Sequence, residues 1–262
     1  MKFLAKWRLR KPADDAETVY VSEKYGVRSL HIGSDTVQSA MRLARPNDLE
    51  LSYTRSMMAF LLFSERPTRM LMIGLGGGSL AKFVYHRMPW VVTEVVEVNP
   101  RVLAIARQCF HVPEDDARLK VIVCNGADYV RQPGPPPDVI AVDGYDGESQ
   151  VEELSDKPFY AACHKRLSAG GILVVNLWGS DRKFHETLVR IEAAFPAGTL
   201  CLPAEKPGNI IVFAFRHCPP AWRWGALKLR AHELEKLYGL EFPRFVLGLR
   251  KMNRHDKDQL FV

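Results

Sequence analysis

The residues with chemistry in them fall into four short groups, each at the end of an apolar stretch. Met70 to Ile73 runs into Gly74-Leu75-Gly76-Gly77-Gly78-Ser79 and then a helical pattern, an arrangement in which glycines let a ligand approach the backbone at a helix N-terminus. Such a loop serves a dinucleotide, a nucleotide or simply a tight turn. Its G-x-G-G-G spacing departs from the pyrophosphate fingerprint G-x-G-x-x-G at the last glycine, where Ser79 and Leu80 stand. About 20 residues on, Val95-Val96-Glu97-Val98-Asn99 places the Glu97 carboxylate at a strand end, where it can accept hydrogen bonds from ribose hydroxyls; a lone glutamate there is otherwise just solvated. Cys124-Asn125-Gly126-Ala127-Asp128 offers an amide or a carboxylate to an adenine edge. Val142-Asp143-Gly144-Tyr145-Asp146-Gly147 carries two carboxylates three apart in a glycine-containing loop; Asp143 reads as a general base or, at its plainest, as a turn former.

These groups act together only if one sheet lines them up. Met70 to Ile73, Val91 to Val98, Leu119 to Val123, Val139 to Val142, Ile172 to Asn176 and Ile210 to Phe215 are continuous apolar runs separated by helical patterns over Ser79 to Arg87, Pro100 to Phe110, Asp156 to Leu167 and Arg182 to Ala194. Such alternation predicts an α/β fold, a doubly wound Rossmann-type parallel sheet covered on both faces, with ligands bound beyond the carboxyl ends of its strands. Upstream, Thr18 to Val21 and Ser29 to Ile32 read as short strands around a Lys24-Tyr25-Gly26 turn, and Leu49 to Phe63 as a helix stopped by Pro67. The expected division is a small β-rich N-terminal domain with its connecting helix over 1–66, a nucleoside-binding catalytic domain over 67–217, and a basic C-terminal tail over 218–262 that holds one helix, Trp222 to Tyr238.

Composition narrows the classes. With 262 residues, 47% hydrophobic and 25% charged, the chain has ordinary globular usage and length enough for a sizeable core. The longest apolar run, Gly170 to Leu177, falls far short of the about 20 residues that span a bilayer. The start, MKFLAKWRLRK, breaks its apolar residues with charge and lacks a signal-peptide core, so the expected location is cytoplasmic. Five scattered cysteines without a C-x-x-C pair argue against a zinc site, an iron–sulfur cluster or a disulfide framework, and no metal is expected. The net charge of +6 collects at the two ends, without the aromatic and basic interleaving of RNA recognition, which argues against a nucleic-acid partner.

Taken in order, Gly74 to Gly78, Glu97-Val98-Asn99, Asn125 to Asp128, Asp143 to Asp146 and Phe159-Tyr160 resemble the spermidine synthase (polyamine aminopropyltransferase) family, on the S-adenosylmethionine-dependent methyltransferase fold, over residues 17–216. Lys24-Tyr25-Gly26, Val37-Gln38-Ser39 and Leu49 to Tyr53 are similar to its N-terminal β-domain and D-E-x-x-Y segment, and Leu202 to Asn209 to its I-P-x-Y-P-S-G-Q strand. The resemblance implies transfer of an aminopropyl group from decarboxylated S-adenosylmethionine to a small amine acceptor in polyamine biosynthesis, with methylthioadenosine released, by a homo-oligomer, dimeric in that family. It implies that Gly74, Gly76, Gly77, Gly78, Glu97, Asn125 and Gln38 hold the nucleoside, that Glu97 binds its ribose, and that Asp143 and Tyr53 face the attacking amine.

The departures cluster on one side. The family loop reads G-G-G-D-G-G, and its aspartate, which holds the donor's aminopropyl amine, falls on Gly77; Thr54 replaces a Gln or His, Glu205 replaces a Tyr, and D-S-x-D-P becomes Asp143-Gly144-Tyr145-Asp146-Gly147. The nucleoside half of the site is retained and the amine half rewritten. A sulfonium donor already carries its leaving group, so the enzyme has to position a neutral amine and take its proton. Asp143 is the candidate base, with Asp146, Tyr53 and Glu205 as acceptor contacts. The competing readings are a methyltransferase using intact S-adenosylmethionine, favoured by Gly77, and a non-catalytic nucleoside-binding homologue.

Overall fold

The computed structural model describes residues 18–146, 149–150, 152–205, 208–219 and 221–262, with backbone alone at 145–146, 149–150 and 152. Strands β1 (Val19–Lys24), β2 (Val27–Ile32) and β3 (Val37–Arg42) form an antiparallel meander, the first two joined by a two-residue turn in which Tyr25 and Gly26 both have positive φ. In place of the one helix expected over Leu49 to Phe63 come α1 (Ser52–Met57) and a 3-10 turn over Met58–Leu62. Every residue from Ser56 to Leu62 is buried, so this segment has no solvent face for an amphipathic α-helix to present.

The large sheet and its helices follow in chain order: β4 (Arg69–Ile73), α2 (Ser79–Arg87), β5 (Val92–Glu97), α3 (Pro100–Phe110), β6 (Leu119–Val123), α4 (Gly126–Arg131), β7 (Val139–Val142), the hairpin β8 (Tyr145–Asp146) and β9 (Ser149–Gln150), α5 (Lys157–Arg166), β10 (Ile172–Trp178), α6 (Phe184–Ala194), β11 (Thr199–Pro203) and β12 (Asn209–Phe215). The seven strands lie in the order β11-β12-β10-β7-β4-β5-β6. The fold is the expected α/β one, with one correction: the sheet is mixed, because β12 runs antiparallel to both β10 and β11. Only residues 204–208 join β11 to β12. A parallel crossover needs a dozen or more, so the pair is a hairpin.

Along β4, Met70 and Met72 pack on the side of α1, α2 and the C-terminal helices, while Leu71 and Ile73 pack on the side of α4, α5 and α6. Burial on both faces is why this strand reads as an unbroken apolar run. The chain closes with β13 (Trp222–Arg223), α7 (Trp224–Tyr238), α8 (Phe242–Met252) and β14 (Gln259–Leu260), which pairs β13. Where a basic tail was expected after Tyr238, α8 buries Phe242, Phe245, Val246 and Leu249 in the same core as β11 and β12, with Arg244, Arg250 and Lys251 off that face. Burying each such side chain contributes about 1.5–3 kcal/mol, enough to fix a helix that charge alone would leave in water. Among the described residues no helix is long and apolar enough to cross a membrane.

The N-terminal meander docks through Leu30 and Met41 on Val102 and Phe110 of α3, which hangs β3 over the carboxyl ends of β4 and β5. Lys82 of α2 fastens the joint, its Nζ donating to the carbonyls of Pro46 (2.7 Å) and Phe110 (2.6 Å).

Candidate functional site

Parallel register brings the chemistry to one place. Ile73 pairs with Val96 on one side and with Val142 on the other, so the residues that follow, Gly74, Glu97 and Asp143, emerge side by side at the carboxyl edge. Gly74 donates its N–H to the Val96 carbonyl (2.8 Å), and Asp143 donates its N–H to the Ile73 carbonyl (2.9 Å). The contact is so close that a β-carbon on Gly74, whose φ is 96°, would lie 2.3 Å from the Asp143 carbonyl oxygen. Glycine is the one residue that fits there.

Around this edge lies a cleft of about 920 Å³, including the part open to solvent, lined by Gln38 and Ser39 of β3, Tyr53 and Thr54 of α1, Gly74 to Gly76, the first turn of α2, Glu97, Asp143 and Leu154. Glu97 is 7% exposed and its two carboxylate oxygens accept from the N–H groups of Leu75 (3.0 Å) and Asn99 (2.9 Å). A carboxylate offers about four lone-pair sites, so the same oxygens retain capacity for two vicinal hydroxyls. Asp143 accepts from the Asn176 side-chain amide (2.9 Å) and lies within hydrogen-bonding reach of the Tyr53 hydroxyl, whose one proton is shared between Asp143 and the Gln38 carbonyl (3.2 Å). Burial pushes the Asp143 carboxyl above the usual carboxylate range, and the bonds from Asn176 and Tyr53 oppose that shift without cancelling it. A carboxyl so raised is a better-matched proton acceptor for an amine than an exposed one.

The helix α1 that carries Tyr53 is held at both ends of the cleft wall. Arg42 of β3 bonds Glu50 just before it (2.6 Å), and Arg55 within it bonds Glu241 at the start of α8 (2.7 Å). The C-terminal helices therefore help set where Tyr53 stands.

Of the residues singled out in the sequence, Gln38, Tyr53, Gly74, Gly76, Glu97 and Asp143 line this one cleft. Gly77 and Gly78 shape the loop without lining it, Gly78 as the left-handed N-cap of α2. Asn125 does not line this cleft: its side-chain oxygen accepts from the N–H groups of Ala127 and Asp128 as the N-cap of α4, and its amide donates to Glu153. Glu205 is not among the residues that line this cleft. It lies in a separate cavity between α1, β11 and α8, paired with Arg244 (2.6 Å) and Arg55 (3.7 Å). The backbone of Asp146 lies in β8, and its side chain is outside the described residues. Among the described residues no three His, Cys, Asp or Glu side chains gather as a cation site requires.

Sequence reasoning missed Asn176, Asn209 and Ser39. Asn176 stood out as a polar residue in the run Ile172 to Trp178, and buried polar groups need partners; it is 3% exposed and bonds both Asp143 and Asn209. Ser39 lies 3.3 Å, oxygen to oxygen, from Ser79, both beside the glycine loop.

Residues 50–212 match the family model described as the spermine/spermidine synthase domain. The polyamine aminopropyltransferase of Chromobacterium violaceum is 40% identical over 255 residues, covering 97% of this chain and 98% of that one. Among solved structures, human methyltransferase-like protein 13 in complex with SAH aligns with a TM-score of 0.64 at 27% identity, over 79% of this chain and 96% of that one. A probable spermidine synthase from Corynebacterium glutamicum aligns with a TM-score of 0.69 at 20% identity, over 91% and 92%, which shows a shared fold.

Proposed function

The chain belongs to the spermine/spermidine synthase family, and we propose that it transfers an aminopropyl group from decarboxylated S-adenosylmethionine to a small amine. The observation that carries this reading is the near end-to-end likeness to a polyamine aminopropyltransferase. The cleft supplies a matching division of labour. Glu97, pinned by two backbone N–H groups, presents its remaining lone pairs to the ribose diol, and the glycine loop admits the nucleoside against the backbone. The acceptor nitrogen attacks the propyl carbon next to sulfur; the carbon–sulfur bond breaks, its electron pair stays on sulfur, and methylthioadenosine leaves as a neutral thioether. The proton lost by the nitrogen goes to Asp143. Tyr53, its one hydroxyl proton within reach of both the Gln38 carbonyl and Asp143, confines the acceptor between α1 and the end of β7.

The test is product analysis by mass spectrometry with a panel of di- and polyamines, each offered decarboxylated and intact S-adenosylmethionine. The expected result is aminopropylated amine and methylthioadenosine from the decarboxylated donor. Asp143→Asn, nearly isosteric and unable to take the proton, should lower turnover by about a hundred- to ten-thousandfold while nucleoside binding changes only a few fold. Methylated product from the intact donor, with no aminopropyl product from the other, would overturn the reading.

A further inference from the structure

Asp143 does not stand alone at the end of β7. Asn176 follows Val175, which pairs with Val142, so its side chain reaches the neighbouring strand end, where Nδ2 donates to Asp143 Oδ1 at 2.9 Å. Across β10, Asn209 opens β12 opposite Trp178 and donates from Nδ2 to Asn176 Oδ1, again at 2.9 Å. The direction of this chain matters. An amide has one accepting and one donating end, and a flipped Asn176 would turn its carbonyl oxygen toward the Asp143 carboxylate. The Asn209 donor occupies that carbonyl, so the donating end is left for Asp143.

We propose that Asn209 and Asn176 form a two-amide positioning relay, in which Asn209 fixes the flip of Asn176 and Asn176 fixes one oxygen of Asp143, leaving the carboxylate oriented and ready to accept a proton in the cleft. The inference rests on the reading of Asp143 as the proton acceptor. Neither asparagine touches a reacting atom; both act through Asp143. The relay works against burial, which favours the protonated carboxyl, by supplying a hydrogen bond that only the ionised form accepts well. Among the described residues, the titratable groups sharing the cleft with Asp143 are Tyr53 of α1 and Glu97 at the end of β5.

Two readouts test it on the full chain. First, the Asp143 carboxyl is titrated by ¹³C NMR, assigned by its loss in Asp143→Asn. Asn176→Ala should raise its midpoint by about one to two pH units, the size of one lost charge-assisted hydrogen bond. Asn209→Ala, further from the carboxylate and at a partly exposed strand end, should raise it by less, and serves if the buried substitution fails to fold. Second, in the kcat profile with one acceptor, the acid limb should move up by the same amount, so that activity lost on that limb returns as the pH is raised. Damage to packing alone would lower kcat at every pH. An unmoved carboxyl midpoint in both variants overturns the relay. If the midpoint moves as expected while the wild type transfers nothing, the relay stands and the transferase reading falls.

Discussion

The sharpest handle on donor choice is Gly77, where the family resemblance expects an aspartate. A β-carbon built on Gly77 would lie 2.8 Å from Ser39 Oγ, 3.1 Å from Ser39 Cβ and 2.9 Å from Phe110 Cδ1. Gly77 has no positive φ, so the obstacle to a side chain is space. The Ser39 hydroxyl, held near Ser79, fills the first part of the volume an aspartate would use. Gly77→Asp alone should therefore cost about 1–3 kcal/mol of overpacking, comparable with the about 1.5–3 kcal/mol that a carboxylate–ammonium contact contributes. Combining it with Ser39→Ala removes the closest clash.

The useful quantity is a ratio. Both donors bind the same folded variant, so strain in the empty protein cancels from the quotient of their dissociation constants, and the new carboxylate remains. It attracts the ammonium of the decarboxylated donor, and repels the α-carboxylate of the intact one. Isothermal titration of the two sulfonium nucleosides should show preference for the decarboxylated donor rising about ten- to a hundredfold in Ser39→Ala/Gly77→Asp over the wild type. Gly77→Asp alone should show a lower melting temperature and weaker binding of both donors. A folded double variant with the wild-type ratio would mean that the donor's amino end does not face this loop.

Two further outcomes follow from buried charges. Methylthioadenosine should raise the melting temperature of the wild type, and Glu97→Gln should remove most of that rise, since losing a charged hydrogen-bond acceptor costs about 1.5–3 kcal/mol of binding; an undiminished thermal shift would refute the assignment of Glu97 to the ribose. Lys82 is 1% exposed and burial lowers its pKa to about 8, against about 10.4 for a free lysine. Below pH 8 it is charged folded and unfolded alike; between pH 8 and about 10.4 the unfolded chain holds the extra proton, so its contribution to stability rises through that window, by about 3 kcal/mol in all. Urea unfolding of wild type and Lys82→Met across pH 7 to 10 should show the stability difference growing in favour of the wild type, and a flat difference would refute it.

What the sequence made legible follows from where each interaction is written. Six of the seven strands of the large sheet were readable because both-face burial leaves unbroken apolar runs, and Gly74, Glu97 and Asp143 because each sits directly after one of them; the short helix α4 and the strand β11 were not among the elements read from those runs. The helix α8 was written just as plainly, in the i, i+3, i+4, i+7 spacing of Phe242, Phe245, Val246 and Leu249, and was missed because its basic residues drew the reading toward a tail. Asn125 shows a harder limit. An asparagine between a strand and a helix reads equally as a cap of that helix and as a ligand contact, and only the geometry shows its oxygen on the N–H groups of Ala127 and Asp128 and its amide on Glu153. Glu205 shows the same limit through charge, since nothing local says that Arg55, 150 positions earlier, and Arg244, 39 later, will claim it.

Asn176 marks the boundary between the two cases. Its type and place announced a buried polar group with an obligation to be bonded, but each partner lies 33 positions away, Asp143 before it and Asn209 after it. Such an obligation is local, and its fulfilment belongs to strand order. The insertion of β12 antiparallel beside β10, the feature that the reading as a wholly parallel sheet left out, is what places Asn209 within reach. The topological correction and the unanticipated side-chain relay are therefore one fact seen at two scales: a sheet without that hairpin would lack the Asn209 donor that meets the Asn176 carbonyl oxygen.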